Sequence, residues 1–114
     1  IHDSGFVQFV ADIGPMRLIG LDTLVPGQSA GGLCEARLAF LDRSLGEAGG
    51  KPVAIFMHHP PFTCGIAHMD AIRLLDASDA FAAIVARHPN IERILCGHHH
   101  RPIVTRFAGT IAQI

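Results

Sequence analysis

Five of the eight histidines lie in two short clusters. His58 and His59 precede Pro60-Pro61, and three consecutive histidines, at positions 98–100, follow Gly97. Imidazole is the commonest protein ligand for transition metals. Each cluster follows a short apolar run, at residues 53–56 and 91–95, as expected for the end of a buried strand. Because α/β folds place their sites in loops beyond strand ends, the pattern predicts a metal site.

Alternation along an extended chain divides these histidines into two groups. Side chains two residues apart face the same side at about 6–7 Å, so His98 and His100 are expected to face one site. Two-metal hydrolases hold their ions about 3.5–4 Å apart, which two such imidazoles can straddle. His58 is expected to approach from the neighbouring strand end. His59 and His99 are predicted to point away from the ions, in supporting or solvent-facing positions.

Strand and helix patterns alternate along the chain. Apolar and β-branched runs predict strands at residues 5–11, 16–21, 53–57, 91–96, 103–107 and 110–114. Helical periodicity predicts helices at residues 34–45, 69–75 and 78–88, the last with Ser78 as its N-cap. Glycine-rich residues 26–32 and the stretch 62–70 are expected to be loops. The alternation predicts an α/β fold with a layered mixed β-sheet and flanking helices.

Composition limits the classes of function. A length of 114 residues allows one domain at most. With 49% hydrophobic and only 17% charged residues, the chain is predicted to have either a sheet covered on both faces or apolar surface that belongs against further chain. A net charge of −1 argues against a nucleic-acid polymer as partner. No apolar run approaches the roughly 20 residues of a membrane span. Three cysteines without a Cys-x-x-Cys pair favour a reducing, cytoplasmic setting.

Other polar residues give weaker signals. Asp22 ends a predicted strand and is expected to be a hydrogen-bonded structural carboxylate, whereas Asp70 is expected to cap a helix or to line the site. His68 is predicted to be an exposed loop residue and His88 a partly buried helical one. The chain has no Gly-x-Ser-x-Gly elbow and no glycine-rich phosphate loop, so hydrolase triads and nucleotide-phosphate loops are not indicated.

Several short motifs together resemble a known family. They are Gly-Leu-Asp-Thr at residues 20–23, Gly31-Gly32, Arg37-Leu38, His-His-Pro-Pro at 58–61 and Gly-His-x-His at 97–100. This succession resembles the calcineurin-like metallophosphoesterases, and within them the bacterial cyclic-nucleotide and glycerophosphodiester phosphodiesterases. The resemblance implies the C-terminal half of an αββα sandwich. It also implies a small-molecule phosphodiester as substrate.

The resemblance assigns metal ligands residue by residue. In the family, the first histidine of His-His-Pro-Pro and both outer histidines of Gly-His-x-His bind a binuclear centre, which corresponds here to His58, His98 and His100. The ions would be two divalent or trivalent transition metals, with manganese, iron and zinc all open. No catalytic residue is assigned within this chain, and the residues that contact substrate stay unknown.

The earlier motifs of that family are absent from this sequence. It contains no Asp-x-His, no Gly-Asp dipeptide and no Gly-Asn-His followed by an acid. We therefore expect residues 1–114 to form a single partial domain, the C-terminal part of the catalytic domain, which holds one ion or none and is inactive alone. The alternative is a non-catalytic module that binds a single zinc-type ion. Exposed sheet edges could also pair two copies into a homo-oligomer.

Overall fold

A computed structural model describes residues 5–114 as an α/β fold with eight strands and three helices. The strands are β1 (Phe9–Ile13), β2 (Met16–Leu21), β3 (Gly31–Gly32), β4 (Val53–Met57), β5 (Leu74–Asp76), β6 (Ile91–Leu95), β7 (Val104–Phe107) and β8 (Thr110–Gln113). The helices are α1 (Glu35–Glu47), α2 (Ala67–Asp70) and α3 (Ser78–Ala86). Six strands form one sheet, in the order β1-β2-β4-β6-β8-β7. The predicted α/β class with a mixed sheet is confirmed.

The central strands run parallel and the two ends of the sheet are hairpins. β2 pairs with β4, β4 with β6, and β6 with β8, all in parallel. β1 and β7 pair antiparallel with β2 and β8 and form the two edges. Because β2, β4 and β6 are parallel neighbours, their carboxyl ends meet at one edge of the sheet. The two histidine clusters follow β4 and β6, so the topology brings them together.

One face of the sheet is covered by helices. Apolar side chains of the central strands pack with α1 and α3 in a single core that includes Ile19, Ile55, Ile94, Leu41, Leu45, Phe81 and Val85. Burying each such side chain contributes about 1.5–3 kcal/mol. On the opposite face, Phe56 is 36% exposed and Phe9 49% exposed. Within residues 5–114 the helices thus cover one face only, although the apolar sequence of β4 is typical of a strand buried on both faces.

A helix predicted at residues 69–75 is wrong for most of its length. α2 ends at Asp70, and Leu74–Asp76 forms β5, which pairs in parallel with β3. The backbone N–H of Leu74 donates to the carbonyl of Pro60 at 2.9 Å, and the N–H of Gly31 donates to the carbonyl of Arg73 at 3.0 Å. These partners lie far away in sequence, and their hydrogen bonds outweigh the weak local helical preference. The same pairing makes a short strand of Gly31–Gly32, which we predicted as loop.

Some predicted boundaries also differ from the structure. β1 runs to Ile13 because Ile13 pairs with Met16 across a two-residue turn, and Asp12 stays in the strand opposite Arg17. The N-cap of α3 is Ala77, at φ 65°, rather than Ser78, and it makes no side-chain cap hydrogen bond. β5 holds the chain up to Asp76, so the turn into the helix falls on the next residue. No helix within the described range is long and apolar enough to cross a membrane.

Candidate metal centre

The two histidine clusters meet where β4 and β6 end. The backbone N–H of Gly97 donates to the carbonyl of His58 at 3.0 Å, which continues the strand pairing past the ends of the strands. A Cβ at position 97 would lie 3.3 Å from His58 Nδ1, so a glycine allows this close approach. His58 Nε2 then lies 2.9 Å from His98 Nδ1. Two of the three predicted ligands are therefore neighbours.

Three imidazoles group at this point. His58, His59 and His98 each offer a nitrogen, and these nitrogens all lie within 4.8 Å of one another. Burial holds the pKa of His98 below its usual value, and burial likewise lowers the pKa of His59. Both imidazoles are therefore mainly neutral at neutral pH. A neutral imidazole has a nitrogen lone pair, which is the form that binds a metal.

The spacing of His58 and His98 is suited to a shared ion. Zinc–imidazole bonds measure about 2.0–2.1 Å, so two nitrogens on one ion lie about 2.8–3.4 Å apart for bond angles of about 90–110°. The observed distance of 2.9 Å, which in the metal-free chain is a hydrogen bond between the two rings, lies within this range. Their donor type and spacing thus fit a transition-metal ion.

His59 is hydrogen-bonded through both ring nitrogens. Its Nδ1 lies 2.7 Å from the hydroxyl of Thr23, and its Nε2 lies 2.9 Å from the carbonyl oxygen of Ser29. Its backbone N–H donates to the same Thr23 hydroxyl at 3.3 Å. Only 4% of His59 and 2% of Thr23 is exposed, so the solvent-facing position considered for His59 is wrong.

The alternation predicted for the second cluster is also wrong. His98 and His100 both have left-handed backbone angles, at φ 70° and 55°, and residues 97–100 do not form a strand. Alternation therefore does not apply to them. His99 is only 3% exposed, and neither of its ring nitrogens has a hydrogen-bond partner within residues 5–114. His100 is exposed, outside the group of three imidazoles, and its role as a ligand stays a prediction.

The two aspartates hold loops near the site. Asp22 accepts hydrogen bonds from the backbone N–H groups of Val7 and Leu24, as expected for a structural carboxylate. Asp70 accepts from the N–H of Cys64 at 2.7 Å and from that of Gly65 at 3.2 Å. These hydrogen bonds, that from Cys64 foremost, lower the pKa of Asp70. The carboxylate therefore closes the turn before α2.

Other candidate residues take no part in the centre. Burial raises the pKa of Cys96 to about 12, so without a metal its thiol is protonated at neutral pH, and the residue lies outside the group of three imidazoles. His68 is exposed, as predicted, but it lies in the short helix α2 rather than in a loop. His88 is partly buried, as predicted, but it follows the end of α3 at Ala86 rather than lying in the helix, and its Nε2 lies 3.3 Å from Asp42 Oδ1.

Sequence reasoning missed the residues that surround His59. A Cβ on Gly31 would lie 2.5 Å from His59 Cγ, so the ring packs directly on the Gly31 backbone. Arg37 is buried and donates to the carbonyls of Asp22 and Leu24 at 2.9 and 3.0 Å, which fixes the chain on either side of Thr23. The available signal was the polar Asp22-Thr23 pair at the end of β2. This end is adjacent to the end of β4.

Comparison with known proteins gives a consistent assignment. No family model matches the chain. It is 36% identical over 104 residues to a probable glycerophosphodiester phosphodiesterase, GpdQ, of Arcobacter nitrofigilis, covering 91% of this chain and 38% of that protein. It is 45% identical over 103 residues to a probable cyclic nucleotide phosphodiesterase of Rhodopseudomonas palustris, covering 88% of this chain and 37% of that protein.

A solved structure agrees at the level of the fold. The crystal structure of a dimetal phosphatase from Danio rerio matches with a TM-score of 0.78 and 18% identity, over 96% of this chain and 49% of that one. The chain spans about two fifths of the length of the bacterial relatives that it matches. With these relatives, the fold and the histidine cluster taken together, the chain belongs to the calcineurin-like metallophosphoesterases, in the branch of the bacterial glycerophosphodiester and cyclic-nucleotide phosphodiesterases.

Proposed function

We propose that this chain is part of a metal-dependent phosphodiesterase that hydrolyses small phosphodiesters of the cyclic-nucleotide or glycerophosphodiester class. The observation that carries the proposal is the 2.9 Å approach of His58 and His98 at the ends of two adjacent parallel strands. Relatives named as phosphodiesterases of these two classes support it. We also propose that the substrate is a small molecule rather than a nucleic-acid polymer.

The proposed ligands are His58, His98 and His100, toward two transition-metal ions in the longer enzyme. Bound ions of this kind polarise a phosphodiester and lower the pKa of a bound water. The part played by this chain is to present neutral imidazoles at fixed positions. Burial favours the neutral form of His98, and the strand pairing through Gly97 fixes His58 beside it. Manganese, iron and zinc all accept imidazole ligands.

We further propose that residues 1–114 form one partial domain with half of the metal site, which is inactive alone. Among the described residues, the grouped metal donors are imidazoles, without a carboxylate close enough to bridge two ions. The expected result is no hydrolysis of a chromogenic phosphodiester by the purified chain, with or without Mn²⁺. Metal-dependent turnover by this chain would refute the proposed incompleteness.

Elemental analysis after metal loading tests the metal role itself. We expect at most one ion per chain, and its loss in a His58→Ala, His98→Ala double variant. A bound ion that persists in the double variant would refute the assignment of these ligands. A variant of the exposed His68, His68→Ala, serves as the control and should bind the same amount of metal as the unmodified chain.

A non-catalytic module with a single zinc-type ion is the alternative. The group of three imidazoles favours it, since a structural zinc site needs only one further ligand. The position of Cys96 argues against it, because this cysteine, the nearest in sequence, lies outside the group of three imidazoles. A closed four-coordinate zinc in an X-ray absorption spectrum would support the module. An open site with bound water would support the phosphodiesterase.

Edge strands offer a route to self-association. β1 is an edge strand, with Phe9 49% and Ile13 62% exposed. Such an edge can pair with a second copy, so we propose a homo-oligomer at high concentration. Ile13→Lys should shift sedimentation toward the monomer.

A cytoplasmic setting is also proposed, from the unpaired cysteines.

A further inference from the structure

His59 is the most fully satisfied side chain of the histidine cluster. The carbonyl oxygen of Ser29 can only accept, so His59 Nε2 must carry the proton at this 2.9 Å contact. His59 Nδ1 is then an acceptor, and the Thr23 hydroxyl donates to it at 2.7 Å. The hydrogen bonds therefore fix one tautomer. They leave no ring nitrogen of His59 free for a metal.

This imidazole joins two parts of the chain that are distant in sequence. Thr23 follows β2, Ser29 lies in the connection to β3, and His59 directly follows His58 at the end of β4. Gly31 packs on the other side of the ring, since its Cβ would meet His59 at 2.5 Å. The ring is thus held on three sides. Because His58 is the preceding residue, the same contacts restrict the backbone from which His58 projects.

We propose that His59 is a positioning residue rather than a metal ligand, and that it holds His58 in place through the hydroxyl of Thr23. This inference rests on the proposed metal role of His58 and His98. The family resemblance assigns no role to His59, and the sequence pattern allowed either a supporting or a solvent-facing position. The proposal assigns a function to the Thr23–His59 pair. This pair is buried and close to the metal centre, and it contributes no donor atom to that centre.

Proximity alone would suggest the opposite role. One ring nitrogen of His59 lies within 4.8 Å of one nitrogen of His58 and one of His98, close enough for a third ligand. Ligation would require His59 to give up a hydrogen bond at one nitrogen, either from the buried Thr23 hydroxyl or to Ser29. A buried hydrogen-bonding group left without its partner costs about 1–3 kcal/mol. Outer partners that fix the orientation of metal ligands typically change metal affinity about 10–100-fold when they are removed.

The tautomer of His59 can be observed directly. Long-range ¹H–¹⁵N correlation spectra of the ¹⁵N-labelled chain distinguish an Nε2–H imidazole from an Nδ1–H one. We expect His59 to be Nε2–H both without metal and after Zn²⁺ is added, while the ring nitrogens of His58 and His98 shift on zinc binding. A zinc-induced change at the Nδ1 or Nε2 of His59 that indicates coordination would overturn the proposal.

A variant that cannot change the ligand set tests the positioning role. Thr23→Val keeps the shape of the side chain and removes the hydroxyl, so we expect zinc affinity to fall about 10–100-fold with unchanged stoichiometry at saturation. Thr23→Ser keeps the hydroxyl and should restore most of the affinity. Thr105→Val, on β7, removes only a 3.4 Å contact to the carbonyl of Arg106 and should leave affinity unchanged. Unchanged affinity in Thr23→Val would refute the positioning role.

A failure of the proposed metal role can be distinguished from a failure of the proposed positioning role of His59. If the unmodified chain binds no zinc, its half of the metal site is empty, and the zinc-affinity comparison does not apply. The metal-free spectrum still tests His59, because a single Nε2–H tautomer that becomes mixed in Thr23→Val supports its fixed position. A mixture of tautomers in the unmodified chain would overturn that position.

Discussion

Gly31→Ala should strongly destabilise the chain through His59. The added Cβ would lie 2.5 Å from His59 Cγ, whereas non-bonded carbon atoms rest about 3.5–4.0 Å apart. The ring must therefore move by about 1 Å, which stretches its hydrogen bonds of 2.7 and 2.9 Å to Thr23 and Ser29 beyond useful length. Overpacking costs about 1–3 kcal/mol, and each lost buried hydrogen bond about 1 kcal/mol. The expected loss is about 3–5 kcal/mol.

Urea unfolding of the metal-free chain at pH 7.5 measures this loss. Domains of this size are stable by only about 5–15 kcal/mol, so the midpoint should fall markedly or the chain should unfold without urea. Gly46→Ala is the matched control. Gly46 lies within α1 and is exposed, and a Cβ added to it would meet nothing within 4 Å. That substitution should stabilise the helix by about 0.5–1 kcal/mol.

A double-mutant cycle identifies the cause. In a His59→Ala background the clashing ring is gone, so Gly31→Ala should cost less than about 1 kcal/mol, and the coupling between the two sites should be large. A cost that is the same in both backgrounds would show that Gly31 acts through its backbone pairing with Leu74 instead. A Gly31→Ala chain as stable as the unmodified one would refute the proposed packing of His59 on Gly31 altogether.

Three further outcomes are expected. Burial lowers the pKa values of His59 and His99 below their usual value of about 6.5. The free energy of unfolding of the metal-free chain should therefore be highest above about pH 6.5 and should fall at lower pH, by up to about 1.4 kcal/mol per pH unit for each histidine. Urea midpoints that stay constant between pH 7 and 5 would contradict this. Arg37→Ala should lower the free energy of unfolding by about 2–4 kcal/mol in the same assay, because two carbonyls lose a charged donor. Arg43 is exposed, and Arg43→Ala should lower it by less than about 0.5 kcal/mol. Leu41→Ala, in the core, should lower stability by about 2–5 kcal/mol in calorimetry, and a loss below about 1 kcal/mol would show a looser core.

The parts of the fold that were predictable depend on patterns close in sequence. β2 and β4 were predicted with their observed bounds, because each is a short apolar run between turn residues. α1 was predicted to within two residues from its apolar stripe. β3 and β5 were not predictable, since neither has a strand pattern. They form because the backbone of Gly31 pairs with that of Leu74, a partner that lies beyond α1 and β4 in the chain and that no local pattern indicates.

Only part of the candidate site was predictable, for the same reason. That His58 and His98 should meet followed from two strand ends at one edge of a parallel sheet, and this requires only that β4 and β6 be neighbours. The orientation of each histidine required more, namely the backbone angles of residues that lie beyond those strands. His98 and His100 adopt left-handed angles, which an alternating extended chain does not contain. His59 is turned by Thr23 at the end of a third strand, so its role depends on contacts across the sheet rather than on its place in the motif.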